Sequence, residues 1–279
     1  LTLIIFLVLN IFSVRTFNSL NLAFSLISSG GFLPDNDLTN IIKTNTQIII
    51  LSVLMLFSFF SIFFSYNLVF LRNRNINFFY EDLHLIVYLT IIILIFLLFF
   101  SFNKEFSVNF LAIVTSMSNI GFSLKTDQTN MSLVFLILVI IGGSFFSTSS
   151  GLRFVKIYSL FKYSINQILS FSKPKNVFMN KLIFTNINFD FNEINKYFLT
   201  IIIFIMSLFI FTSILSISGI SFENSFKLSI LTLMNTVNSS IYGLTDFNFD
   251  NLHFLTKYCF ILFMIIGRIE LLTILIIIK

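Results

Sequence analysis

The sequence predicts an all-α membrane protein built from tandem helix–pore-loop–helix repeats, and three observations carry that prediction. The chain of 279 residues is 57% hydrophobic and only 10% charged, whereas soluble domains carry about 25% charged residues. Apolar runs long enough to span recur at roughly 45–71, 83–102, 131–165, 197–217 and 254–278, since a span needs about 20 residues at 1.5 Å each. Between them, three short segments with a polar stripe each end in a small-residue turn.

The apolar run at 1–14 is too short to span, carries no charged leader pattern, and reads as the tail of a truncated helix. The first turn follows it, at Ser28, Ser29, Gly30, Gly31 and Phe32. Before it, Asn18, Asn21, Ser25 and Ser28 share one helical face. The second turn is Ser118, Asn119, Ile120, Gly121 and Phe122, behind a less regular stripe of Ser107, Thr115 and Ser118. The third is Asn235, Thr236, Val237, Asn238 and Ser239, behind Ser225, Ser229 and Thr232. A dozen residues make a helix of about 18 Å, which enters a bilayer without crossing it. Glu105 and Glu223 open two of these segments, where a carboxylate suits the positive helix end. Their C-terminal ends then aim partial negative charge at the membrane centre. Asp35 and Asp37, Asp127, and Asp246 and Asp250 follow the three turns, a pattern that concentrates cations at an outer mouth. Non-helical backbone at such depth lines a cavity or is buried in protein, and rings of backbone carbonyls select ions. The repeated unit therefore reads as a cation-conducting pore.

A broken helix follows the second turn. Thirteen apolar residues at 131–143 cannot reach the far interface, so the polar stretch at 144–151 must lie inside the membrane as an unwound segment able to obstruct a pathway. Arg268 lies inside the final apolar run. An arginine at mid-membrane costs roughly 2.5–3.5 kcal/mol, so it should face a pore or an acidic or carbonyl partner; Glu270, two residues on, lies on another helical face.

The formal charge is +5, and six of the 17 basic residues (Arg153, Lys156, Lys162, Lys173, Lys175 and Lys181) lie at 152–181, with no acid until Asp190. With Arg72 and Arg74, they place both basic loops on the cytoplasmic side and argue against nucleic acid. Cys259 is the one cysteine, which excludes an intrachain disulfide and a cysteine metal site. His84 and His253 stand apart from any nucleophile or carboxylate dyad, so no enzyme and no cofactor is expected.

These motifs resemble the Trk/Ktr/HKT superfamily of potassium transporters, specifically its bacterial TrkH-type pore subunit. SSGGF, SNIGFS and the turn at 235–239 are similar to the family's second, third and fourth filter strands. IGGSFFSTSSGLRFVK is similar to its intramembrane gating loop, and MIIGRIELLT to its final-helix signature. The resemblance implies a pseudo-fourfold pore axis with one repeat missing at the N-terminus. It divides the chain into a second pore repeat at 1–72, a third at 73–170, a cytoplasmic linker at 171–195 and a fourth repeat at 196–279. It implies a K⁺ filter made by the backbone carbonyls of Ser29, Gly30, Gly31, Asn119, Ile120, Gly121, Thr236, Val237 and Asn238. Gating falls to Gly143, Ser144, Ser147, Thr148, Ser149, Ser150, Gly151 and Arg268. Asn238 stands where the family has glycine, and asparagine is the residue that best tolerates φ > 0 after glycine. Phe145, Phe146, Ser149 and Ser150 make the loop bulkier than the family's.

The function implied is potassium uptake, passive or by symport, across a bacterial inner membrane. The partners implied are membrane lipid, a second copy in a homodimer and a cytoplasmic nucleotide-sensing TrkA-like ring. A relaxed-selectivity Na⁺/K⁺ transporter, a secondary transporter for an organic solute and a non-conducting paralogue are the alternatives.

Overall fold

The computed structural model describes residues 1–35, 37–62, 64, 79–100, 106–124, 131–172, 191–244, 249 and 252–268. Those residues form helices in three successive groups. The first holds α1 (Thr2–Ile11), α2 (Thr16–Ser28), the single turn α3 (Leu38–Ile41) and α4 (Asn45–Phe59). The second holds α5 (Phe79–Phe100), α6 (Phe106–Met117), α7 (Ser132–Ile140) and α8 (Phe154–Ser172). The third holds α9 (Phe191–Ile217), α10 (Phe222–Leu233) and α11 (Phe254–Arg268). In the first group α2 packs on α1 and α4, in the second α6 packs on α5 and α7, and in the third α10 packs on α9 and α11. Neighbouring groups meet where α4 packs on α6 and α7 on α10.

Local chemistry sets several of these ends. Thr44 and Gln47 form a capping box at the start of α4: the Gln47 N–H donates to Thr44 Oγ1 at 3.3 Å, and the Thr44 N–H donates to Gln47 Oε1 at 3.3 Å. That pairing satisfies two N-terminal donors reciprocally. Gln47 Nε2 also donates to the Phe12 carbonyl at 2.9 Å, tying α4 to the end of α1. Among the described residues, one helix is both long and apolar enough to cross a membrane, at Ile194–Ile217 within α9. Its 24 residues extend about 36 Å.

Two apolar clusters form the interior. One gathers Ile5, Leu9, Leu22, Leu26, Leu51 and Met55 around Ile120 and Phe122, so the second turn rests on the first group. The other joins Leu85, Leu89, Phe135, Val139, Phe211, Leu215, Leu231 and Tyr242. Large apolar side chains remain exposed along α1, α5, α9 and α11, among them Leu7, Val87, Met206 and Ile261. A surface of that kind suits contact with lipid rather than water.

The apolar run at 45–71 does not continue as one helix. Phe60 turns to extended backbone (φ −79, ψ 164) and ends α4. The cause is tertiary: Asp82 accepts the Ser61 N–H at 3.0 Å and the Ser61 hydroxyl at 2.6 Å. Asp82 and its neighbour Glu81 are both buried, at 1% and 3% exposure. Glu105, Glu270, Asp127, Asp190, Asp246, Asp250, Arg72, Arg74, Lys173, Lys175 and Lys181 lie outside the described residues. Asp82→Ala leaves the buried Ser61 N–H without its acceptor, so it should cost about 2 kcal/mol and lower the thermal midpoint in detergent. Ser61→Ala keeps the Ser61 N–H bond to Asp82 but removes the hydroxyl that donates to Asp82 Oδ2 and accepts the Phe64 N–H at 3.0 Å, so it should cost a comparable amount, about 1–2 kcal/mol, by the same measurement.

Candidate functional site

The helices α2, α6 and α10 end in one backbone pattern. The N–H of Ser29 donates to Leu26 O (3.3 Å) and that of Gly30 to Ser25 O (2.9 Å). Asn119 and Ile120 repeat this with Ser116 O (3.4 Å) and Thr115 O (3.2 Å), and Asn235 and Thr236 with Thr232 O (3.1 Å) and Leu231 O (2.9 Å). These are the paired bonds of a Schellman motif, whose first free residue is left-handed. Ser29, Asn119 and Asn235 accordingly have φ of 50, 58 and 50. Asparagine bears that conformation better than serine does, so Ser29 is the costlier of the three.

Beyond these caps the bends meet one another in chain order. Gly31 has φ 68, and a Cβ there would collide with the Ile120 carbonyl oxygen. Gly121 has φ 86, and a Cβ there would collide with the Val237 carbonyl oxygen. Each glycine thus leans on the carbonyl that precedes the next bend's corresponding residue, which makes Asn238 the counterpart of Gly31 and Gly121. The third bend, however, has one residue more between its cap and that position. Asn238 is not among the residues with positive φ. The expectation that it copies glycine's backbone is therefore corrected: the extra residue lets the chain arrive in an ordinary conformation. Its Nδ2 donates to Leu244 O at 3.5 Å.

All three bends line one cavity of about 280 Å³, with Gly31, Gly121, Val237 and Asn238 among its lining residues together with Asp35 and Asp37. A second cavity of about 600 Å³ separates the first bend from the third. It touches Ser29 and Gly30 on one side, Thr236 and Asn238 on the other, and Arg268. The predicted polar stripes do not stay free. Ser28 donates to Phe24 O (2.8 Å), Ser229 to Ser225 O (2.7 Å) and Thr232 to Leu228 O (2.6 Å), each back-bonding its own helix.

The predicted break lies between α7 and α8, with α7 ending at Ile140. Gly142 N–H donates to Leu152 O (2.9 Å) and Leu152 N–H to Ile140 O (3.2 Å), closing the loop at its neck. Its tip borrows the bare end of α4: Ser144 N–H donates to Phe59 O and Ser149 N–H to Ser58 O, both at 3.1 Å. Phe145 N–H donates to Glu81 Oε1 at 2.7 Å. Thr148 Oγ1 lies 3.4 Å from Ser29 Oγ, so the loop touches the first bend. Arg268 binds across the same space, with Nη1 donating to Ser150 Oγ at 2.8 Å and Nη2 to Ser28 O at 3.2 Å. Carbonyl and hydroxyl oxygens thus answer the sequence's demand for a partner. Gly143 and Ser144 sit behind the tip, against Phe59, while Ser147, Thr148, Ser149, Ser150, Gly151 and Arg268 border a polar cavity of about 100 Å³.

Four residues escaped the sequence reading. Arg153 and Lys156 belong to the basic set expected on the cytoplasmic side, yet Lys156 is buried and Arg153 reaches back to the Ser144, Ser147 and Ser149 carbonyls of the loop. Glu81 and Asp82 anchor the loop and the end of α4. Two adjacent acids opening an apolar run, in a chain with 12 acids, were the available signal. His84 packs edge-on against Tyr158, and His253 caps α11 through its carbonyl to the Thr256 hydroxyl at 2.6 Å.

The geometry defines a class, an all-helical chain in which bends at helix ends converge on shared cavities. No protein-family model matches the chain, and no curated protein sequence is significantly similar to it. Among solved structures it is similar to the crystal structure of the potassium transporter TrkH from Vibrio parahaemolyticus, with a TM-score of 0.85 and 17% identity over 100% of this chain. At that identity the likeness is one of fold, and the expected all-α architecture holds. The chain spans 62% of the length of that structure. Gly121→Ala should cost about 2 kcal/mol or more, from left-handed strain and the collision with Val237. Asn238→Gly relieves no strain and should change stability by less than about 1 kcal/mol; thermal unfolding of the two variants in detergent compares them.

Proposed function

We propose that this chain forms the conducting part of a potassium uptake protein of the bacterial inner membrane. The observation that carries this reading is the relay of bends, Gly31 on Ile120 and Gly121 on Val237, around a cavity that all three line. Backbone carbonyls held this closely replace the water around a dehydrated cation. Asp35 and Asp37 draw cations to the mouth. The loop at 141–153 and Arg268 obstruct the path below. The cavity of about 600 Å³ is the open side of the ring, and a fourth helix–bend unit completes the filter there.

A second reading, relaxed selectivity between Na⁺ and K⁺, draws on one observation. Between its cap at Asn235 and Asn238 the third bend is a residue longer than the other two, and it lacks their glycine. On the likeness of fold alone, we also propose a homodimer with a cytoplasmic nucleotide-sensing partner of TrkA type, seated in membrane lipid, and no catalytic activity.

Rubidium uptake into proteoliposomes containing the full-length protein tests the assignment. Wild-type protein should carry ⁸⁶Rb⁺, and Gly121→Ser should reduce uptake at least about tenfold, equivalent to about 1.4 kcal/mol on the barrier. Undiminished uptake in that variant refutes a pathway through the bends. Competition by Na⁺ at equal concentration separates the two selectivity readings.

A further inference from the structure

Below the bends, one nitrogen is surrounded by oxygen. Arg153 Nη1 lies 3.2 Å from the Ser144 carbonyl, 3.2 Å from the Ser147 carbonyl, 3.2 Å from Ser147 Oγ and 3.1 Å from the Ser149 carbonyl. That nitrogen carries two N–H groups, so two of the four contacts use up its directional donors. The others are held by charge, which acts without regard to direction. An arginine that recognises its partner by shape makes a flat two-pronged fork. Oxygens gathered around a point charge are instead the donor set of a monovalent cation.

The cage is also built by bonds in which Arg153 takes no part. Ser147 N–H donates to Ser144 O at 3.1 Å. The Ser147 and Ser149 hydroxyls pair at 2.8 Å, and Ser149 Oγ accepts the Gly143 N–H at 3.0 Å. Gly143 has no room for a side chain, because a Cβ would meet the Phe59 carbonyl and both serine hydroxyls. The carbonyls of Ser58 and Phe59 fix the cage from outside. Its members Ser147 and Ser149 face the cavity of about 100 Å³ shared with Ser150 and Arg268. The Glu81 carboxylate, bonded to Phe145 N–H, lies within electrostatic reach of Arg153.

We propose that these four oxygens form a monovalent-cation site beneath the filter, and that the Arg153 guanidinium is its tethered occupant in this conformation. The inference rests on the chain being a cation pathway. An ion leaving the bends meets a site that already holds a positive charge, and withdrawal of Arg153 hands the oxygens to the ion. Arg268 has a different part, bridging the loop to the first bend through Ser150 and Ser28.

Anomalous diffraction from full-length protein crystallised with thallium(I), for wild type and Arg153→Ala, tests this. Arg153→Ala should gain a thallium peak bounded by Ser144, Ser147 and Ser149 that excess potassium removes, while wild type has none there. Both should keep a peak at the bends. An ordered loop with no peak in Arg153→Ala overturns the proposal. Arg153→Met keeps most of the side chain's bulk, and a loop disordered in both variants also overturns it, leaving Arg153 a brace. Absence of the bend peak from wild type defeats the pathway reading instead, a result separate from the other two.

Discussion

Backbone inside a membrane has no water to turn to, and that constraint organises this chain. Wherever helix stops at depth, its loose N–H and C=O groups must find partners in protein or they cost several kcal/mol each. Three helices solve this with the same paired bonds after Ser25, Thr115 and Leu231. The fourth interruption, after Ile140, uses a different solution. Its loop is satisfied by the end of α4, by Glu81 and by Arg153, so three distant stretches of sequence are drawn to one place. The bends and the loop are thus the consequence of one rule applied to helices that end too soon.

Much of the fold was legible because its special backbone is written in special residue types. Gly31, Gly121, Asn119 and Asn235 stand where the chain turns left-handed, and those are the residues that turn so at least cost. The unwound stretch at 144–151 was legible from length, since thirteen apolar residues cannot reach across a bilayer. Both signals are local, and both survive without knowledge of any neighbour.

What stayed hidden depends on neighbours. Phe60 carries no mark of a helix end, and α4 stops there because Asp82, far along the chain, takes the Ser61 donors. Arg153 reads as one more charge of a basic loop, and its recruitment follows from carbonyls that become available only after the loop has folded. The register of the third bend was readable as far as Asn238, but the extra residue before it shows only when each glycine is seen against its neighbour's carbonyl. Charge and composition mark Asp82 and Arg153 as polar; hydrogen-bond demand decided where they went.

The way the loop borrows the end of α4 limits how it can leave. Ser58 and Phe59 present carbonyls that no helical turn satisfies, and Ser144 and Ser149 cover them. Any displacement of the loop strips those two oxygens of their donors, and water must take the donors' place. Displacement and wetting are then a single event, with the rate of one set by the rate of the other.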